Sequence, residues 1–238
     1  MTEFALVPIA FLTSCLAGAI GLGGGVLLIA LMPGLVPAAV IIPIHAITQL
    51  ASNTSRAVFA WHDIDWTLIP AVALGSIAGA WLGAEVYSGL DLRWLPAPIG
   101  AIILFITWFS LPQPKGGGQL GLVLLGFYQT GLGMVAGATG PLGAAVLLKH
   151  NGERDWLVVN TAVYMSLNHG LRILAFGLLG FAFTSWLTLI AAMVVAVILG
   201  SWVGTKLRSY IPPGNFIPMF KVLVTLLALR MIALSLFN

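Results

Sequence analysis

Long apolar stretches separated by short polar connections run through the whole chain. A membrane-crossing helix needs about 20 largely apolar residues, and by that measure the 238-residue chain holds about eight of them. The pattern predicts helices near 4–22, 43–61, 66–87, 94–112, 119–137, 156–180, 184–206 and 216–237. The first continues past an interruption to about 33, and the fifth past another to about 149. Trp61-His-Asp-Ile-Asp65-Trp66 is a polar turn bracketed by tryptophans, as an interfacial belt predicts. Lys149-His-Asn-Gly-Glu-Arg-Asp155 and Leu207-Arg-Ser-Tyr-Ile-Pro-Pro-Gly-Asn215 are further hydrophilic loops.

The two interruptions carry most of the information. Gly18-Ala-Ile-Gly-Leu-Gly-Gly-Gly25 places five glycines in eight residues between apolar segments. Glycine costs about 0.8–1 kcal/mol relative to alanine inside a helix, so Gly23-Gly24-Gly25 predicts a break. Its counterpart is Gly131-Leu-Gly133-Met-Val-Ala-Gly137-Ala-Thr139-Gly140-Pro141-Leu-Gly143. Non-helical backbone at membrane depth persists only where protein buries it or a wet cavity solvates it. A pair of interrupted segments at corresponding places in two halves points to a transporter's binding site.

The chain also repeats itself. Trp66-Thr-Leu-Ile-Pro…Gly79-Ala-Trp-Leu-Gly83 aligns with Trp186-Leu-Thr-Leu-Ile…Gly200-Ser-Trp-Val-Gly204, with one inserted residue. Gln49-Leu-Ala-Ser-Asn53 aligns with Tyr164-Met-Ser-Leu-Asn168, and Trp94-Leu-Pro96 with Phe216-Ile-Pro218. The expected fold is therefore all-α: a polytopic membrane protein of about eight segments in two four-segment repeats, the first segment of each broken at glycines. The repeats are placed at 1–112 and 119–238, joined by a linker at 113–118. If the broken segments cross, the repeats are parallel; if they re-enter, the repeats are inverted. Gly75/Gly79/Gly83 and Ala196/Gly200/Gly204 are small-residue stripes that bring helices close, either within one chain or across a homodimer.

Composition narrows the picture. Charged residues make up 7% of the chain and hydrophobic ones 60%, against about 25% charged in an ordinary soluble domain. A net charge of +3, scattered along the chain, argues against nucleic acid as a partner and leaves membrane lipid. The single cysteine excludes an intrachain disulfide. Met1-Thr-Glu-Phe lacks the basic start of a cleaved signal peptide, so the first segment is expected to be retained. With every segment crossing, Arg93, Lys149, Arg154, Lys206 and Arg208 share one side, and Lys115, Asp63 and Asp65 lie on the other. The positive-inside rule then places both termini outside.

Two arginines inside helices demand partners: Arg56, three residues after Asn53, and Arg172, four after Asn168. Burying such a charge costs about 2.5–3.5 kcal/mol on insertion scales. Offsets of three and four share a helix face, so each half presents an amide beside a guanidinium. The alternative is snorkelling to headgroups. His45, Gln49 and Ser52 extend the first stripe upstream; Asn160, Thr161, Tyr164 and Ser166 extend the second. His45 and His169 are the histidines inside helices and the candidate proton relay. Half-helices starting after Gly23-Gly24-Gly25 and at Thr139-Gly140-Pro141 would aim free N–H groups into the cavity. Two such ends with Gln49, Asn53, Arg56, Asn168 and Arg172 suit a small tetrahedral or pyramidal oxyanion. No catalytic group, metal-ligand cluster or cofactor motif is found, so an enzyme is not expected.

Gly21-Leu-Gly-Gly-Gly25 with Pro33, Gly137-Ala-Thr-Gly-Pro141 and the doubled four-helix plan resemble the sulfite/sulfonate exporter family TauE/SafE, also called the 4-toluene sulfonate uptake permease family. The resemblance covers essentially the whole chain. It implies a secondary transporter (permease or exporter) of small sulfur-containing organic or inorganic anions such as sulfite, sulfonate or sulfoacetate. It also implies coupling to an ion gradient, in the inner (plasma) membrane of a prokaryotic cell. The alternatives are an intramembrane phosphatase-like enzyme and an anion channel.

Overall fold

The computed structural model describes residues 2–21, 23–109, 118–147, 153–210 and 216–237. Lys115, Lys149 and the expected linker, except Gly118, lie outside them. Ten α-helices follow in order: α1 Leu6–Ile20, α2 Gly24–Leu31, α3 Ala38–Phe59, α4 Ile69–Ser88, α5 Pro96–Trp108, α6 Gln119–Ala136, α7 Gly140–Leu147, α8 Arg154–Leu178, α9 Leu187–Leu207 and α10 Phe216–Phe237. With their adjoining 3-10 turns, α1, α4, α6 and α9 are long and apolar enough to cross a membrane.

Both glycine-rich stretches break their helices, and at each the chain doubles back. Gly21 ends α1 in the left-handed region, at φ 98°, with its N–H on the Ala17 carbonyl. Gly23 repeats the conformation at φ 91°. Gly24 then lies against the Thr13 carbonyl and the Ala17 methyl, two to three turns back along α1. A helix continuing onward could not reach them, so α2 returns beside α1. In the second half Gly137 (φ 72°) ends α6. Thr139 Oγ1 donates to the Gln129 carbonyl at 3.1 Å, so the start of α7 lies back along α6. The re-entrant alternative therefore holds for both broken segments.

Glycine stripes set the tightest packing. Gly200 and Gly204 of α9 rest on the Phe11 and Cys15 carbonyls of α1, and Gly18 returns the approach against Ser201. Gly75, Gly79 and Gly83 of α4 rest on α6 at Val123, Phe127 and Gly131. Ascending numbers match ascending numbers, so both pairs are parallel. Trp81 and Trp202, between the glycines, face outward at 70% and 53% exposure. These stripes join the first five helices to the last five within one chain. The other large interfaces, α3 with α8 and α5 with α10, also cross that divide. Gly100 abuts Ala228 while Trp108 Nε1 donates to Thr225 Oγ1, so α5 and α10 are antiparallel. Exchanging α1–α5 for α6–α10 leaves the set of major pairings unchanged, with the two series running in opposite directions.

The reversals shift the sidedness. Arg154 Nη2 donates to the Ala19 carbonyl (2.8 Å) and Arg208 Nε to the Gly18 carbonyl (3.0 Å), so the starts of α8 and the ends of α1 and α9 share one end. Asp63 and Asp65 lie at that same end, since Asn160 donates to the Asp63 carbonyl and accepts the Asp65 N–H. Arg93 follows α4 to the opposite end, where Arg230 Nη2 donates to the Pro33 carbonyl. The expected grouping of Arg93 with Arg154, and the separation of Arg154 from the two aspartates, are thus corrected; Arg93 does lie apart from the aspartates. It counted each broken segment as a crossing, and each is a return.

Candidate functional site

A cavity lies where the two reversals approach the central α3·α8 pair. It offers about 40 Å³, room for roughly three waters at the smallest volume a water needs. The first reversal lines it with Gly23, Gly24 and Gly25, and the second with Ala138 and Gly140. From α3 come His45, Gln49, Asn53 and Arg56; from α8 come Thr161, Met165 and His169. Among the described residues, no acidic side chain lines it. The α3 set falls on one face because its spacings of three and four follow the helical turn.

The α3 side chains are held against the first reversal. His45 Nε2 donates to the Gly25 carbonyl at 2.9 Å. The Gln49 amide lies so close that a methyl group on Gly25 would meet Oε1 at 2.9 Å. Asn53 Nδ2 donates to the Gln49 carbonyl at 2.7 Å, and its Oδ1 accepts Arg56 Nη2 in a short contact. The side chain facing the second reversal is Tyr164, which the repeat alignment matches to Gln49. Its hydroxyl donates to the Gly140 carbonyl at 3.4 Å and stops against Gly143.

The second half treats its polar residues differently. Arg172 is fully buried, and its Nη1 donates to the Gly137 carbonyl at 2.7 Å, outside the cavity lining. Asn168 Oδ1 accepts Ser76 Oγ at 2.7 Å and Thr130 Oγ1 at 2.8 Å, tying α8 to α4 and α6. Ser14, Ser52 and Ser201 form a matching knot of α1, α3 and α9, with hydroxyl distances of 2.7 and 2.8 Å from Ser14. Thr139 bonds along the reversal and does not line the cavity; Pro141 opens α7, and its side chain lies outside the described residues. Ser14, Ser76, Gln129, Thr130 and Ser201 were not singled out in the sequence. Their one visible signal is a polar residue inside an apolar span.

Several buried polar atoms around this site have no partner among the described residues. They are Arg56 Nε, Arg172 Nε and Nη2, both ring nitrogens of His169, His45 Nδ1, Asn168 Nδ2 and Thr161 Oγ1. Buried polar groups are paired in the great majority of cases, so this concentration calls for a ligand or ordered water. Most of these groups are N–H donors, and two helix starts face the same space. Such a set of donors would complement a negatively charged group.

Helices folded back at mid-bundle around a buried, donor-rich cavity define a multi-pass membrane protein of the transporter class. The chain belongs to the TauE/SafE sulfite exporter family, whose family model matches residues 6–231. That makes it an exporter-type membrane transporter. Neither a curated protein nor a solved structure matches the chain.

Proposed function

We infer that the protein is a secondary transporter of small sulfur-containing anions such as sulfite, sulfonate or sulfoacetate, coupled to an ion gradient. The observation that carries this reading is the cavity where the start of α2 meets Arg56, Asn53 and Gln49, with no acidic residue in its lining among the described residues. The anion would be held by the Arg56 guanidinium, by the Asn53 and Gln49 amides and by the N–H groups of Gly24 and Gly25. A cavity of about 40 Å³ favours a compact four-atom oxyanion such as sulfite over an aromatic sulfonate. His45 and His169 face each other with ring centroids 5.9 Å apart and are the candidate proton carriers.

Residues 1–112 and 119–238 serve as the two repeats, inverted with respect to one another. Arg154, Lys206, Arg208 and Lys221 gather at one end and Arg93 and Arg230 at the other, which favours a cytoplasmic Arg154 end. Both termini then face outward. The membrane is the inner (plasma) membrane of a prokaryotic cell, and the chain acts without nucleic acid or cofactor, amid lipid. A homodimer would have to use surfaces other than the glycine stripes, which are occupied within the chain.

The test is uptake of radiolabelled sulfite into proteoliposomes under imposed proton or sodium gradients. Accumulation above equilibrium that collapses with the gradient is the expected result. Flux that only equilibrates the anion would mark a channel, and no flux with sulfite, sulfoacetate or taurine would overturn the reading.

A further inference from the structure

Resting on the transporter reading, the inference concerns how many places along the path hold the anion. Arg56 and Arg172 occur in matched halves, and a single anion between both forks is the simplest arrangement. Geometry argues against it. The Arg172 guanidinium bonds the Gly137 carbonyl, and Gly137 in turn lies against Ile29 and the His45 ring. From His45 to Arg56 is eleven residues of α3, about 16 Å at the helical rise. Arg56 reaches back one turn to Asn53, so the two guanidiniums bond at different levels of α3. Each is also tied to a different partner, so one small oxyanion would have to bridge two levels of the bundle to hydrogen-bond to both.

The two arginines also stand in different compartments. Arg56 lines the cavity; Arg172 does not, being sealed between Gly133 and Gly137. Yet the sealed region keeps unused donors of the same kind: Arg172 Nε and Nη2, Asn168 Nδ2 and the His169 ring. A purely structural arginine would be expected to spend its donors, as Arg154 and Arg208 do at the end of α1 on backbone carbonyls and on the Asp155 carboxylate. His169 belongs to both compartments. It lines the cavity and lies one turn before Arg172 on α8.

We propose that the anion occupies two successive stations: an accessible one at Arg56, Asn53 and Gln49, and a sealed one at Arg172, Asn168 and His169 beneath the Gly137 turn. The stations are exchanged by the opposed directions of the two helix series. When the arrangement inverts, Arg172 lines the open cavity and Arg56 is the sealed arginine.

Radiolabelled sulfite uptake in right-side-out and inside-out membrane vesicles tests this, using the wild type, Arg56→Gln and Arg172→Gln. Arg56→Gln should raise the half-saturating concentration at least tenfold for anion offered at the Arg154 end, while from the other end it mainly lowers the maximal rate. Arg172→Gln should show the opposite sidedness. Arg172→Lys and His169→Gln, each checked for a monodisperse elution profile, stand in where a glutamine variant does not fold. Equal rises in half-saturation from both ends would mean one shared site and overturn the two stations while leaving the transporter reading intact. Wild-type vesicles that take up sulfite from neither end would overturn both.

Discussion

Arg56 and Arg172 bear the same side chain at related points of α3 and α8, and their surroundings separate them. Arg56 reaches the cavity with one bond to Asn53; Arg172 is committed to a backbone carbonyl. For Arg56→Ala, losing a charge-assisted contact worth about 1.5–3 kcal/mol should weaken sulfite binding about tenfold to a hundredfold. Arg56→Lys should recover part of it, keeping the charge without the planar fork. Isothermal titration at fixed ionic strength reads both, and native affinity in the alanine variant would remove Arg56 from the site. Gly137 is a second residue with a sharp expectation. Its φ of 72° suits glycine, and a methyl group there would drive into Ile29. Gly137→Ala should lower the thermal unfolding midpoint, since the positive φ disfavours a side chain and the methyl group meets Ile29. An unchanged midpoint would show that the turn is not constrained.

The arginines and amides were legible because a charge or amide inside an apolar run has few reasons to be there. Ser14, Ser76, Thr130 and Ser201 were not. A lone hydroxyl is cheap in a membrane helix, and only the fold shows that hydroxyls from three helices meet. Gln129 and Asn160 illustrate the same limit from both sides. Gln129 passed unnoticed although its carbonyl anchors the second reversal. By spacing Asn160 belongs with the polar stripe, but in the fold it fastens the loop at Asp63 and Asp65.

Among the helices, the glycine stripes matter most. In Gly79-Ala-Trp-Leu-Gly83 and Gly200-Ser-Trp-Val-Gly204 one face meets a neighbour's backbone and the tryptophan turns outward. Gly79→Leu and Gly200→Leu should force α4 from α6 and α9 from α1, giving little folded protein by detergent size-exclusion. A monodisperse variant with only a cargo-affinity defect would contradict this packing role. Helix positions and both breaks were readable from hydrophobic period and glycine clustering. Chain direction after each break was not, because Gly23-Gly24-Gly25 permits a kink or a return equally well. What decides is Gly24 fitting against Thr13 and Ala17, a contact between residues too far apart for a local pattern to reveal. Sidedness inherited that ambiguity, which is why Arg93 and the two aspartates moved.

At the level of the whole molecule, the crosswise pairing has a bearing on biogenesis. Helices in the first half find their closest partners in the second: α1 must await α9, which begins at Leu187. During synthesis at about 5–20 residues per second, the N-terminal half therefore sits in the bilayer for several seconds or more with its glycine seams unfilled. Contacts this distant in sequence slow folding, and the waiting intermediate is the species open to proteolysis or mispairing. Fragments 1–112 and 119–238 produced separately should each be degraded, whereas producing them together should restore a stable complex, read by co-purification on a single tag. A fragment stable alone would mean that one half can close its own seams. Rescue on co-production would make the join between the halves dispensable for stability and place the quality-control burden of this chain on the interval between its two halves.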